Sequence, residues 1–261
     1  MTFWNHVDFT TNYFIKNTYD LLFQPDVSAV LGSYGPGGAS PIINAGDVSN
    51  KGLEIELGYH TSFTSALMAN VNFNFSAITN KVTGVPEGVD YLPGAQFSVG
   101  GDNATRFEQG YAIGYFHGYE TDGIFQTQEQ IDNHDVVQDG AQPGDLIFVD
   151  QNGDGKISFS DDSDKTYLGS AIPDFTFGFS FNVRYKAFDL SGMLYSAIGQ
   201  EIIRNYERQQ PYANQLGYMV DRWTGEGSTN ENPRVTTEST RNNLFSSYYV
   251  EDGSFARLKN V

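Results

Sequence analysis

The clearest pattern in the chain is a period of two. Over residues 175–186 every odd position carries an aromatic or branched apolar side chain, and every even position a small or polar one. This is how a β-strand with one apolar face is written. Residues 53–60 and 67–76 repeat the pattern, and weaker versions run through 7–15, 188–194 and 248–258. Such stretches exceed the about five or six residues usual in soluble sheets and match the roughly 9–11 residues of a tilted membrane strand.

The connections alternate as well. Tight turns are predicted at 60–63 and 185–188, whereas 24–45, 80–170 and 200–245 are long, polar and rich in Gly, Asn and Asp. Short turns at one end and long loops at the other are the pattern of an outer-membrane barrel. The reading is therefore all-β: about six or seven antiparallel strands forming part of a transmembrane β-barrel wall, too few to close a wide barrel. Alternation alone fits equally well a secreted β-sandwich, stabilised by calcium and binding glycan through exposed aromatics. Loop asymmetry and the stripe of Phe175, Phe177, Phe179 and Phe181 favour lipid contact. Asn70, Asn72, Asn74 and Asn182 would then face a wet lumen, with Tyr59 and Tyr185 at headgroup level.

Composition changes this picture in three places. Aromatic residues make up 15% of the 261-residue chain and charged residues only 18%, a balance that favours strands over helices. The formal net charge of −17 argues against a nucleic-acid surface, so no nucleic-acid partner is expected. Much of that charge is local, because residues 120–165 hold twelve Asp or Glu against two Lys. Cysteine is absent, which removes disulfides, thiolate metal sites and cysteine nucleophiles. No apolar run approaches a membrane helix, and residues 1–6 do not read as a signal peptide. The last residues lie inside a strand-like run, so the chain reads as a piece of a longer protein.

Within the acidic segment, residues 150–161 follow the spacing of a calcium loop, which asks for oxygen ligands at positions 1, 3 and 5, glycine at 6, a carbonyl at 7 and a carboxylate at 12. Asp150, Asn152, Asp154, Gly155, Lys156 and Asp161 occupy these positions, with Ile157 at position 8 and Ser158 at position 9. Asp162 and Asp164 are alternative ligands, and a metal-free acidic turn is the competing reading. Ile157 is expected to pin the loop against Phe148.

No enzyme is indicated. The four histidines show no paired metal spacing, Glu54 and Glu56 share one face of a strand, and Gly-Pro-Gly-Gly at 35–38 lacks the Lys and Ser/Thr of a phosphate loop and reads as a loop tip.

Seven stretches together resemble the C-terminal part of SusC/RagA-type TonB-linked outer-membrane proteins: NAGDVSNKGLE (44–54), GYFHGYETDGIFQ (114–126), PGD (143–145), DQNGDGKI (150–157), IPDF (172–175), RWT (222–224) and VEDGSFARLKN (250–260). The resemblance implies a piece of a 22-stranded outer-membrane barrel of a Gram-negative bacterium that imports oligosaccharides or peptides. It further implies a SusD-like surface lipoprotein as partner and coupling to TonB through parts not contained in this stretch. On that reading 80–170 is an extracellular loop insertion braced by calcium. Tyr111, Tyr115, Tyr119 and Phe125, with Phe116 beside them, then pack at the rim or touch substrate or partner.

Overall fold

The computed structural model describes all residues except 1, 4, 25–40, 45, 65, 99–100, 206–213, 215, 239 and 261. The predicted loop tip at 35–38 lies outside the described residues. In chain order the elements are β1 (Thr2–Phe3), β2 (Val7–Thr18), β3 (Leu22–Phe23), β4 (Ile43–Asn44), β5 (Asp47–Thr64) and β6 (Leu67–Gly84). Next come β7 (Tyr91–Pro93), β8 (Thr105–Glu108), β9 (Tyr115–Tyr119), β10 (Thr121–Ile124), α1 (Gln128–Asp132), β11 (Leu146–Phe148) and β12 (Lys165–Gly169). The chain closes with β13 (Phe175–Tyr185), β14 (Phe188–Ile198), β15 (Glu201–Ile203), β16 (Val250–Asp252) and β17 (Phe255–Asn260).

Seven strands form one antiparallel sheet in the order β1-β2-β5-β6-β13-β14-β17. Its register converts the sequence period into two chemically distinct faces. Directly paired residues share a face, and one row across six strands reads Phe9, Leu57, Phe73, Phe179, Leu194, Leu258. The adjacent row on the other face reads Thr10, Glu56, Asn74, Gly178, Tyr195, Arg257. Gly178 leaves room there for the Asn74 amide, whose oxygen lies 2.6 Å from where a Cβ would stand. The expected lumen-side residues Asn70, Asn72, Asn74 and Asn182 all lie on this second face.

Nothing among the described residues covers the apolar face. Leu57, Phe179 and Leu258 are 43%, 38% and 58% exposed, and none of the row belongs to a core cluster. A sandwich interior, the alternative reading of the alternation, would bury them. The eleven residues of β13 extend about 35 Å, which at a tilt of roughly 45° spans the about 25 Å apolar band of an outer-membrane barrel. Tyr185 stands in the last row of that band beside Leu67 and Phe188, whereas Tyr59 sits further in, paired with Val71 and Val7.

Three strand boundaries differ from those expected. The turn placed at 60–63 is strand: β5 continues to Thr64, whose hydroxyl oxygen accepts the N–H groups of Ala66 and Leu67 and so starts the turn there. The turn after Tyr185 is as expected, with Lys186 at φ 56°. The run 248–258 is broken into β16 and β17, since Gly253 N–H donates to Gln200 O and Asp252 accepts the Ser254 N–H, turning the chain between the two strands. Finally, the segment expected as a plain loop begins later and is structured: β6 runs to Gly84, and β7 to β12 follow within it.

The packed core belongs to this loop layer. A four-stranded sheet, β12-β9-β8-β7, puts Phe116 against Phe97, Ala104, Phe245 and Tyr249. A second cluster joins Tyr119, Ile124, Leu146, Phe148 and Ile157. No described helix is long and apolar enough to cross a membrane.

Candidate functional site

The acidic loop hangs from the second cluster. Ile157 is 5% exposed and packs with Phe148 and Leu146, so the expected apolar pin is in place. The neighbouring backbone is held by a bridge in which Val137 N–H donates to Gly155 O and Ile157 N–H donates to Val137 O, both at 2.9 Å. Tyr119 adds a tie from β9, its hydroxyl donating to Ser158 O at 3.1 Å. Gly153 and Gly155 adopt φ of 75° and 85°, which lets the chain reverse twice in four residues.

These reversals turn the polar side chains inward on the loop's own amides. Asp150 accepts from Gly153 N–H at 2.7 Å and from Gly155 N–H at 2.8 Å. Asn152 accepts from Asp154 N–H at 2.8 Å, and Asp154 from Lys156 N–H at 3.0 Å. The amides of Gly155 and then Gly153 hold the Asp150 carboxyl below the usual carboxylate range.

Asp161 is placed apart from this set: its carboxylate turns back on the hydroxyl and N–H of Ser163, which keep it below its ordinary pKa. Asp164 is brought in instead. It is fully buried, and its two oxygens accept from Gln151 N–H at 3.2 Å and Ser158 N–H at 2.6 Å, stitching the start of the loop to its end. Among the described residues no three His, Cys, Asp or Glu side chains stand together as a ready-made metal cluster. The loop's donors are a mixed set of carboxylate and amide oxygens.

Of the aromatic neighbours, Tyr115, Tyr119 and Phe125 are 1–2% exposed and act as packing, as does Phe116. Tyr111, at 41%, is open to contact. It stacks on Tyr115 at 4.4 Å, and Tyr167 joins them with its ring within 20° of both planes. Sequence reasoning missed Tyr167, because Lys165, Thr166, Tyr167 and Leu168 do not alternate and carry no period that marks one face. Burial, with the Glu108 hydrogen bond second, pushes the Tyr115 phenol up, and burial pushes that of Tyr119 up to about 12.

A polar cluster fastens the loop to the four-stranded sheet. The Arg106 guanidinium lies 3.7 Å over the Tyr91 ring and pairs with Asp162, which Lys165 also meets at 2.9 Å. Burial alone would raise the Asp162 pKa, but its bonds to Lys165 and Arg106 prevail and hold it at about 2. His117 Nε2 accepts from Arg106 at 3.4 Å, and burial followed by the Arg106 charge lowers its pKa to about 4. The unfolded chain therefore binds protons at His117 below about 6.5 and at Asp162 below about 4, where the folded one does not. Stability of the loop layer falls as pH drops from about 6.5 towards 4 through His117, and falls again from about 4 towards 2 through Asp162. Urea unfolding of the layer at stepped pH checks this; His117→Gln removes the upper limb and leaves the lower.

The two-faced sheet, its uncovered apolar band and the structured loops at one end define a wall segment of an antiparallel transmembrane β-barrel. No family model matches the chain. It is 32% identical to TonB-dependent receptor P3 of Formosa agariphila over 98% of this chain and 25% of that receptor. It is 32% identical to TonB-dependent receptor P26 of the same organism over 96% of this chain, and 24% identical to SusC of Bacteroides thetaiotaomicron over 84%. Among solved structures it superposes on the RagAB peptide transporter with a TM-score of 0.70 at 19% identity, covering 98% of this chain and 26% of that one. The chain thus resembles a SusC/RagA-type TonB-linked outer-membrane protein in sequence and in fold, and spans about a fifth to a quarter of the length of these relatives.

Proposed function

We propose that this chain supplies part of the wall and the outer loops of a TonB-dependent importer in the outer membrane of a Gram-negative bacterium. The observation that carries this reading is the apolar row from Phe9 to Leu258, uncovered among the described residues, in a chain similar over nearly all its length to about a quarter of a TonB-dependent receptor. Its cargo is an oligosaccharide or a peptide, and a SusD-like lipoprotein works with it, as the resemblance to SusC/RagA-type proteins implies; the likeness in fold to the RagAB peptide transporter is in keeping with a peptide. The chain serves as a passage rather than a catalyst acting on cargo, and the TonB contact is made by another part of the receptor. The loop layer, the described residues within 85–174 and 204–249, faces outward, where Tyr111 and Tyr167 offer ring faces to cargo or lipoprotein, stacked with the buried Tyr115. Disrupting the gene tests the importer reading: the strain should stop growing on one glycan or peptide source while still using its monomers, and unchanged uptake of every such source would refute it.

We further propose that the acidic loop takes calcium as a brace. The donors are all hard oxygens, which suits Ca²⁺ rather than zinc or copper. Asp150, Asn152, Asp154 and the Lys156 carbonyl would hold the ion, with the last carboxylate from Asp164 or Asp161; Asp164 is the better placed, being already joined to both ends of the loop. At calcium concentrations about a hundredfold above Kd, the loop should gain about 2.7 kcal/mol against opening. Protease cleavage within 140–170 should slow accordingly when calcium is added and recover with chelator, and Asp154→Ala should lose the effect. Identical cleavage with and without calcium would remove the brace and leave the barrel reading standing.

A further inference from the structure

Asn152 is the only asparagine in the chain followed by glycine. The pair stands exposed at the tip of the acidic loop, with nothing within 4 Å of the place a Gly153 side chain would occupy. That combination carries its own chemistry. Without a Cβ on the following residue, the Gly153 nitrogen can approach the Asn152 side-chain carbonyl carbon unhindered. A bond then forms between Gly153 N and Asn152 Cγ, the Cγ–Nδ2 bond breaks, and Nδ2 leaves as ammonia together with the former amide proton. Water opens the resulting five-membered imide on either side, giving aspartate or isoaspartate and one added negative charge.

In the folded loop both reacting groups are tied. The Gly153 N–H, which must be released for attack, donates to Asp150 Oδ1 at 2.7 Å. The Asn152 carboxamide is fastened forward, its oxygen accepting from Asp154 N–H at 2.8 Å and its nitrogen lying 3.3 Å from Asp154 Oδ2. We propose that Asn152 is a self-modification site throttled by Asp150: conversion is slow while the carboxylate holds the attacking amide and fast once the loop opens. The product matters to the loop. Aspartate adds a fifth carboxylate to a set that already holds Asp150, Asp154, Asp161 and Asp164, whereas isoaspartate lengthens the backbone by one carbon and breaks the pattern of amide contacts. This proposal does not depend on bound calcium.

The experiment uses the full-length protein that contains this chain, in detergent with chelator present, at mildly alkaline pH and body temperature, so that the calcium brace plays no part. Peptide mapping by mass spectrometry follows the amide-to-acid conversion at position 152, and a methyltransferase specific for isoaspartate identifies that product. Wild type should convert slowly. Asp150→Ala should convert roughly tenfold faster, the scale of losing a hydrogen bond to a charged acceptor, and both should converge on the faster rate in urea. Asp150→Asn, which keeps an oxygen acceptor without the charge, should fall between them and serves if the alanine variant does not fold. The proposal is overturned if the folded Asp150 variants convert no faster than wild type, or if position 152 stays an amide in urea as well.

Discussion

Phe179→Arg should prevent the barrel wall from assembling in a bilayer, while Ser180→Arg, one residue along the same strand, should be nearly silent. Both residues lie in the middle of β13, and their side chains leave the sheet on opposite faces. Phe179 sits in the apolar row between Phe73 and Leu194, so arginine there would have to put its charge among lipid chains near mid-membrane. The expected penalty is about 2–4 kcal/mol for the charge, with the lost phenyl contacts added to it. Ser180 pairs with Asn72 and Met193 on the polar face, beside the amide row, where an arginine stays hydrated. Folding of the full-length protein into lipid vesicles, titrated with urea, measures both. Equal penalties would mean that the two faces meet the same surroundings, and the membrane assignment would be lost.

This contrast rests on the part of the fold that the sequence states most plainly. A strand that meets lipid on one side and water on the other must alternate, and nothing else in the chain needs to be known to see it in residues 175–186 or 67–76. Strand ends were less legible, because beyond the apolar band the constraint changes. At the loop end of β5 and β6, Val48 and Val82 are buried by the loop layer on what would otherwise be the polar face, so the period breaks while the strand continues. The loop layer itself was almost invisible. Its cores join residues far apart in sequence, Phe97 with Phe245 and Tyr249, and its strands are three to five residues long, too short to show a period. The acidic loop fell between these extremes. Spacing indicated the bend at Gly153 and Gly155 and the inward turn of Asp150, Asn152 and Asp154 on the loop's own amides, since those depend on adjacent backbone. It pointed to Asp161 by counting to twelve, but residues 161–163 form a local turn of their own, and the carboxylate that reaches back is Asp164.

The loop layer should come apart within itself, with the sheet left intact, when Asp145 is removed. This carboxylate is 4% exposed and is the point where three separated stretches meet: Arg234 donates to it at 2.7 and 3.3 Å, Asn242 Nδ2 at 3.0 Å, Thr240 at 3.4 Å and Gln142 N–H at 2.9 Å. Around it Gly144 makes the close approach possible, since its φ of 92° and the Trp223 ring 2.5 Å from any added Cβ leave no room for a side chain. Asp145→Ala would strand the Arg234 charge, whose side chain is only 14% exposed, and would leave the buried Asn242 amide without its acceptor. Breaking one partner of a buried pair in this way costs about 3–5 kcal/mol. Asp145→Asn should cost less, because it keeps one acceptor and the shape of the site. The sheet holds its register through strand pairing that does not involve Asp145, so the damage should be local. Limited proteolysis should cut Asp145→Ala within 126–148 and 222–246 while β5, β6 and β13 stay protected from hydrogen exchange. If cleavage spread evenly along the chain, the loop layer and the barrel wall would be one cooperative unit; if it did not change at all, the buried carboxylate would not be what holds the layer together.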